Sequence, residues 1–236
     1  MDILKKLTEE FPSIREDRAQ NIINLIDEGN TIPFIARYRK EMTGSCDDQV
    51  LREFNDRLLY LRNLEKRKEE VAKSITDQGK MTEEIQKALD AAATLTEVED
   101  IYRPYKQKKK TRASVAIEKG LQPLADLILA QDKNVDVRAE AEKYVDEEKG
   151  VANADDAIAG AKDIIAEIVS DDANVRKKLR NLFMKNGEVQ TKLVNADKEG
   201  AKTYEMYADY SEAVAEIKSH RVLAVNRGEK EDFLKV

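Results

Sequence analysis

From Asp47 to Gln78 the chain runs without a glycine or proline, so nothing in its covalent chemistry interrupts a helix there. Leu51, Phe54, Leu58 and Leu61 recur at spacings of three and four, and Leu64, Val71 and Ile75 continue the same stripe. About 30 residues at 1.5 Å each give a rod of roughly 45 Å. In a chain of 236 residues such a rod must be a spine for other helices, its apolar stripe expected to be buried within the chain, with a dimer seam as the alternative. Ser45 is placed to cap its start, and Asp47 and Asp48 put negative charge in its first turn, where the helix dipole favours it. The charges along the spine (Arg62, Lys66, Arg67 and Lys68 against Glu65, Glu69 and Glu70) read as a solvated face.

The remaining sequence reads as a mainly α, multi-helix assembly around this central helix. A small β element is expected near residues 188–195 and at the C-terminus. Residues 1–12 read as a short helix, with Ile3, Leu4, Leu7 and Phe11 apolar, stopped by Pro12. Ser13 to Glu16 fits a capping box for a helix to about Glu28, with Ile14, Ile22, Ile23 and Ile26 on its apolar face and Gly29 at its end. Thr31 and Pro33 start another short helix. Helix, turn and helix together resemble a helix-turn-helix in outline, which is also the outline of αα-corners that bind nothing. After the spine, helices are expected over Thr82–Ala92, from Thr96 to about Tyr102 behind a second capping box, and over Thr111–Lys119. Further helices are expected over Leu124–Ala130, Asp136–Val145, Ala154–Val169 (faced by Ile158, Ile164, Ile165 and Ile168) and Asn174–Asn186 (faced by Val175, Leu179, Leu182 and Phe183). Val189, Thr191 and Leu193 alternate as in a strand. Tyr204, Tyr207 and Tyr210 suggest a helical turn or loop, and Glu212–Glu216 and Arg221–Arg227 suggest helices closed by Gly228. A last strand at Phe233–Val236, with nothing after it to pair with, suggests a truncated chain. Glu147–Asn153 is the expected seam between a region 1–150 and a second lobe 151–236.

Composition bounds function. The chain is 37% charged with a mean hydropathy of −0.64, yet its apolar residues are periodic, so it is expected to be soluble and folded. One cysteine excludes an intrachain disulfide, and neither a signal-peptide core nor a membrane-length apolar run is visible, so a cytoplasmic protein without a membrane role is expected. One histidine and one cysteine leave little for metal or nucleophilic chemistry, since a Cys–His couple would require Cys46 to meet His220. The glycines are scattered singly as caps, not gathered in a phosphate-binding loop. Asp155–Asp156 and Asp171–Asp172 stand at helix starts, where the dipole explains them better than a metal does. No catalytic residue, cofactor, metal or small-molecule substrate is expected.

The basic segments are the functional signal. The net charge is −6, but Tyr102–Arg112 carries six positive charges and no acid, whereas Asp136–Asp172 holds twelve acids against four basic residues. Arg103, Lys106, Lys108, Lys109, Lys110 and Arg112 with Tyr102 and Tyr105 interleaved combine phosphate neutralisation with stacking surfaces. Arg37, Arg39 and Lys40 around Tyr38 form a smaller version. The alternative is that the lysines solvate a connector, the tyrosines pack inward, the acidic helices supply the counter-charge and Arg37 pairs locally with a carboxylate.

Several stretches also resemble one family in order along nearly the whole chain. They are Thr31–Gly44 (TIPFIARYRKEMTG), Arg57–Lys68 (RLLYLRNLEKRK), Leu95–Lys106 (LTEVEDIYRPYK), Lys110–Ala113 (KTRA), Glu118–Ala125 (EKGLQPLA), Tyr210–Glu212 (YSE), Ser219–Arg221 (SHR) and Arg227–Lys230 (RGEK). Together they are similar to the N-terminal region of the bacterial Tex family of transcriptional accessory proteins. Cys46, Gln107 and Lys218 depart from the family pattern at turns. The resemblance implies a helical region followed, in the family, by an RNase H-like domain, helix-hairpin-helix elements and an S1 domain, and a role in transcription with nucleic acid (RNA or DNA) and possible transcription-machinery partners. Two expectations follow: a module of a nucleic-acid-binding accessory factor, or a structural and protein-interaction scaffold with no nucleic-acid contact of its own.

Overall fold

The computed structural model describes residues 2–107 and 109–236. They form two compact units, Met1–Gln107 and Lys108–Val236. The segment Glu147–Asn153 lies inside the second, where Asp146 and Val151 form an isolated antiparallel bridge. The mainly α class with a small sheet is as the sequence implies.

The first unit is helical: α1 (Ile3–Glu10), α2 (Glu16–Asp27), α3 (Ile32–Tyr38), α4 (Lys40–Thr43), α5 (Asp48–Asp77), α6 (Glu83–Ala91) and α7 (Leu95–Tyr102), then a 3-10 turn over Arg103–Tyr105. α5 is the spine. Leu51, Phe54, Leu58, Leu61, Leu64, Val71 and Ile75 are all buried. The upper half of that stripe packs with Leu7 of α1, Ile22 and Leu25 of α2 and Ile35 of α3; the lower half packs with Leu89 of α6 and Val98 of α7. Each such side chain contributes roughly 1.5–3 kcal/mol on burial.

The caps differ from expectation. Asp47, not Ser45, caps α5, its carboxylate accepting from the Val50 amide at 2.9 Å, while Ser45 takes a positive φ of 63° in the turn. α2 begins at Glu16 with no side-chain cap, so the box at Ser13 does not form. α7 is capped by Thr94, two residues before the expected Thr96, and the Glu97 carboxylate accepts from the Ala93 amide, one residue outside the cap, at 2.8 Å. A carboxylate or hydroxyl two residues away competes for the same free amides, and packing decides which one wins.

The spine's charged flank is also not a simple solvated face. Three arginines reach acids on other helices: Arg57 to Glu10 of α1 at 2.7 Å, Arg62 to Asp27 of α2 at 2.6 and 2.8 Å, and Arg67 to Glu99 of α7 at 2.7 Å. Lys68 fills the gap in the apolar stripe between Leu64 and Val71; its side chain is buried, with Nζ 3.1 Å from Glu65 and 3.2 Å from the Asp90 carbonyl. A lysine stem packs as a hydrocarbon if its ammonium finds acceptors at the edge of the core.

The second unit has α8 (Arg112–Glu118), α9 (Gln122–Leu129), α10 (Val137–Glu142), α11 (Ala154–Asp171), α12 (Ala173–Asn186) and α13 (Ser219–Lys230), with strands β1 (Glu188–Leu193), β2 (Asp209–Ala213) and β3 (Leu234–Lys235). α8 to α11 share one core. Its α11 face is small, Ala154, Ala157, Ala161 and Ile164, whereas the expected Ile168 is exposed. Small residues admit close approach: a Cβ on Gly160 would stand 2.4 Å from Leu121 Cδ1.

The alternation of Val189, Thr191 and Leu193 builds β1, the middle strand of an antiparallel sheet in the order β2-β1-β3. Thr191 pairs with Tyr210, and Leu193 with Leu234. Residues 209–213 are therefore strand, not loop and helix, because β1 offers an open edge to them. The last strand does have a partner, in β1. Gly228 lies within α13 and is not its cap; Leu234 and Tyr204 crowd it, with Leu234 Cδ1 2.6 Å from where a Cβ would stand.

Candidate nucleic-acid interface

The residues Arg37, Arg39 and Lys40 stand where α3 ends and α4 begins. Pro33 starts α3 and buries Ile35 inward, so the last turn of a seven-residue helix carries its cations outward. All three are exposed, as is Tyr38 at 60%. Phe34 and Tyr38 contact ring to ring at 5.2 Å, and the Arg39 guanidinium lies 5.1 Å above the Phe34 ring. Arg37, Tyr38, Arg39 and Lys40, with Leu25, Glu28, Glu41 and Met42, line an open cleft of about 680 Å3. The local carboxylate partner considered for Arg37 is not found: among the described residues, none of these three cations makes an ion pair. Three cations, an exposed ring and a concave surface make a geometry that accepts phosphate and a stacked base.

The basic connector is divided. Arg103, Tyr105 and Lys106 belong to the first unit, Lys109, Lys110 and Arg112 to the second, and Lys108 lies outside the described residues. In the first unit, Tyr102 is half-buried: its hydroxyl is 3.0 Å from Ser74 Oγ, and the cations of Arg67 and Lys106 each lie 5.4 Å from its ring. Tyr105 packs on the same core, and its carbonyl accepts from Gln78 at 3.0 Å. Lys106 is paired with Glu99. Burial raises the Glu99 carboxyl, but hydrogen bonds from Arg67 and Lys106 outweigh it and hold the group below its ordinary value. Tyr102 and Tyr105 thus pack inward, and Arg103 is exposed.

In the second unit, Thr111 caps α8 through a reciprocal box with Ser114, which fixes the lead-in residues. Lys110 faces Glu118 at 3.7 Å and Arg112 faces Asp163 at 3.6 Å, so acids of α8 and α11 supply counter-charge internally. These are exposed pairs, each worth about 0–1 kcal/mol, and phosphate can displace them. Lys109 is exposed with no ion-pair partner among the described residues. Lys110, Arg112 and Lys119 line a cleft of about 540 Å3 that also holds Asp156 and Asp163. Its charge is mixed, unlike a phosphate track.

The other chemical groups are used locally. Asp156 accepts from the Ala152 amide and Asp172 from the Val175 amide, both at helix starts, and Asp155 pairs with Arg138 at 3.1 Å. Among the described residues no three His, Cys, Asp or Glu side chains converge as for a metal. The Cys46 thiol is 3.1 Å from the Thr43 carbonyl, and burial, then Asp47, pushes its pKa up, away from a reactive thiolate. His220 is exposed. Among the described residues no helix is long and apolar enough to cross a membrane.

Comparison with known proteins gives matches along the chain. The model of the Tex-like protein N-terminal domain matches residues 1–76, and that of the Tex central region matches residues 132–236. Protein YdcI of Bacillus subtilis is 45% identical over 99% of the chain. The transcriptional accessory protein Tex of Neisseria gonorrhoeae is 41% identical over 100% of it. The human S1 RNA-binding domain-containing protein 1 is 32% identical over 92%. The chain spans 33%, 31% and 22% of the length of these three relatives.

Proposed function

The chain belongs to the Tex family, and from that premise we propose that it is the helical module of a Tex-like transcription accessory factor and contacts nucleic acid through the cleft of Arg37, Arg39 and Lys40. The observation that carries this reading is the absence of carboxylate partners for these three cations around the exposed Tyr38, among the described residues. Cations held near an aromatic face without an internal counter-charge are available to phosphate. The connector plays the smaller part, with Lys109 as its contributor, because Lys106, Lys110 and Arg112 already have acids beside them. Relatives named for a transcriptional accessory role and for an S1 RNA-binding domain are consistent with a nucleic-acid partner. The module carries no catalysis of its own and works in the cytoplasm. Its role is to hold and orient, with the spine as its frame.

The paired connector favours one alternative: a scaffold that binds protein and touches no nucleic acid. The two readings separate in one titration. Labelled single-stranded RNA and duplex DNA are followed by fluorescence anisotropy from low to physiological salt, with the native chain, Arg37→Ala/Arg39→Ala/Lys40→Ala and Lys106→Ala/Lys109→Ala/Lys110→Ala. Loss of three phosphate contacts lowers the slope of log affinity against log salt by roughly 2–3. The first variant is expected to show that loss and the second a smaller one. No binding at low salt, or binding indifferent to the first variant, leaves the scaffold reading.

A further inference from the structure

The cleft at Arg37–Lys40 carries charge of both signs that does not cancel. Arg37, Arg39 and Lys40 share it with Glu28 and Glu41, and among the described residues none of the three cations is within ion-pair distance of either carboxylate. Glu28 accepts from the Asn30 side-chain amide at 3.3 Å. The exposed Glu41 carboxylate has no hydrogen-bond or ion-pair partner among the described residues. Phosphate accounts for the cations. An ionised carboxylate beside them only accepts hydrogen bonds and repels phosphate, so it calls for a donor on whatever the cleft holds.

The backbone that carries Glu41 is held in place. Arg18, Asn21, Leu25 and Glu28 stand at spacings of three, four and three, which is one face of α2. Arg18 donates to the Glu41 carbonyl, and Asn21 Nδ2 donates to the Met42 carbonyl at 3.2 Å. Leu25 and Glu28 line the cleft further along the same face. The Lys40 carbonyl accepts from the Ser45 amide at 2.8 Å, and the Thr43 carbonyl from the Cys46 thiol at 3.1 Å. Every carbonyl of the four-residue α4 therefore has a donor, two of them from α2. So short a helix is not stable by itself, and these bonds fix where the Glu41 side chain starts. A side chain rooted on a pinned backbone loses less freedom when it binds.

We propose, on the premise that this cleft takes nucleic acid, that it selects an unpaired guanine. Tyr38 stacks on the base, the Glu41 carboxylate accepts from its N1–H and N2–H, and Arg37, Arg39 and Lys40 hold the flanking phosphates. Guanine alone among the bases offers two adjacent donors on its Watson–Crick edge, and they match the two oxygens of a carboxylate. Adenine and cytosine set one amino donor beside a ring-nitrogen acceptor. Uracil sets one N–H between two carbonyl oxygens. Each of these turns a lone pair toward Glu41. In a duplex the edge of guanine is already paired, and a continuous run of phosphates would have to pass Glu28 and Glu41. The cleft, at about 680 Å3, has the size of a small-molecule site and not of a double helix.

The test titrates the whole chain, by fluorescence anisotropy, with labelled short RNA strands that are all uridine except for one central base. The guanine strand is expected to bind at least about fivefold more tightly than the adenine, cytosine and uracil strands. Adenine is the decisive comparison, because it offers a purine face to Tyr38 as guanine does. A central 7-deazaguanine, which keeps both donors, is expected to match guanine, and hypoxanthine, which lacks the 2-amino group, to fall between guanine and adenine. Pairing the same guanine in a duplex is expected to remove its advantage. Glu41→Ala, at an exposed position, is expected to level the four bases with an unchanged melting curve, and Tyr38→Leu to weaken all four strands. Equal binding of the four strands that is still lost in Arg37→Ala/Arg39→Ala/Lys40→Ala overturns guanine selection and leaves the phosphate reading standing. No binding of any strand at low salt overturns both. A guanine preference that survives Glu41→Ala, or tighter binding of the duplex, equally overturns the proposal.

Discussion

Glu10 and Arg57 illustrate what a charged pair does at the edge of the first unit. The two are 47 residues apart in sequence and meet in a two-pronged contact. The Arg57 hydrogen bond, against a smaller opposing effect of burial, holds the Glu10 carboxyl below its ordinary value. A group lowered in the folded state stabilises above the unfolded value, about 4.3 for glutamate, and loses that contribution as pH falls through the folded value. Asp27 with Arg62 has the same sign, its carboxyl lowered first by the arginine's hydrogen bond. The melting temperature is therefore expected to fall on acidification below about pH 5, and Glu10→Gln is expected to make that fall shallower. A calorimetric series between about pH 6 and 3 decides it; parallel curves for the two proteins would remove the pair from the acid response.

At the scale of elements, the two long helices of the second unit follow opposite rules. α11 buries a small-residue face closely against α8 and α9, and α12 leaves a large-residue face outside. Gly160 makes the first rule testable. Glycine to alanine inside a helix ordinarily gains up to about 1 kcal/mol. Here the new methyl would meet the fully buried Leu121 at 2.4 Å and Ala116 at 3.3 Å. Overpacking of a closed site costs about 1–3 kcal/mol, which exceeds the propensity gain. Gly160→Ala is expected to lower stability in urea titrations; a stabilised variant would mean that α8 and α9 yield freely to α11. The spine of the first unit obeys a third rule. Its stripe runs unbroken because Lys68 acts as a hydrocarbon in the one gap, with Glu65 and the Asp90 carbonyl taking its charge.

At the scale of the whole molecule, each buried apolar cluster is made of residues from one unit. Leu7–Leu61 and Leu64–Val98 are the clusters of the first, Ala113–Ile164 and Ala201–Leu234 those of the second. Ending the chain after Gln107 removes no residue from either cluster of the first unit. A fragment of residues 1–107 is expected to be helical by circular dichroism and to melt in one cooperative transition. A non-cooperative melt with exposed apolar surface would show that the first unit depends on the rest. The fragment also isolates the Arg37–Lys40 cleft from Lys109, so its binding to RNA or DNA bears directly on the functional reading.

Local chemistry reads out of the sequence because its partners lie within a turn or two. The span of α5, the short helix begun by Pro33 and the alternation that makes β1 all follow from apolar period, missing glycine and fixed proline geometry. Ten candidate binding residues are equally legible as cations and aromatics. Which of them are free is not, because a counter-ion is chosen across space. Arg112 finds Asp163 and Lys106 finds Glu99 on other helices, whereas Arg37 finds no carboxylate although Glu28 and Glu41 line the same cleft. The same limit holds for Lys68, whose charge hides its core position, and for residues 209–213, whose strand exists because β1 presents an edge to it. It holds most plainly for α12: the period of Val175, Leu179, Leu182 and Phe183 specifies a face, and only the packing of α11 beside it leaves that face uncovered.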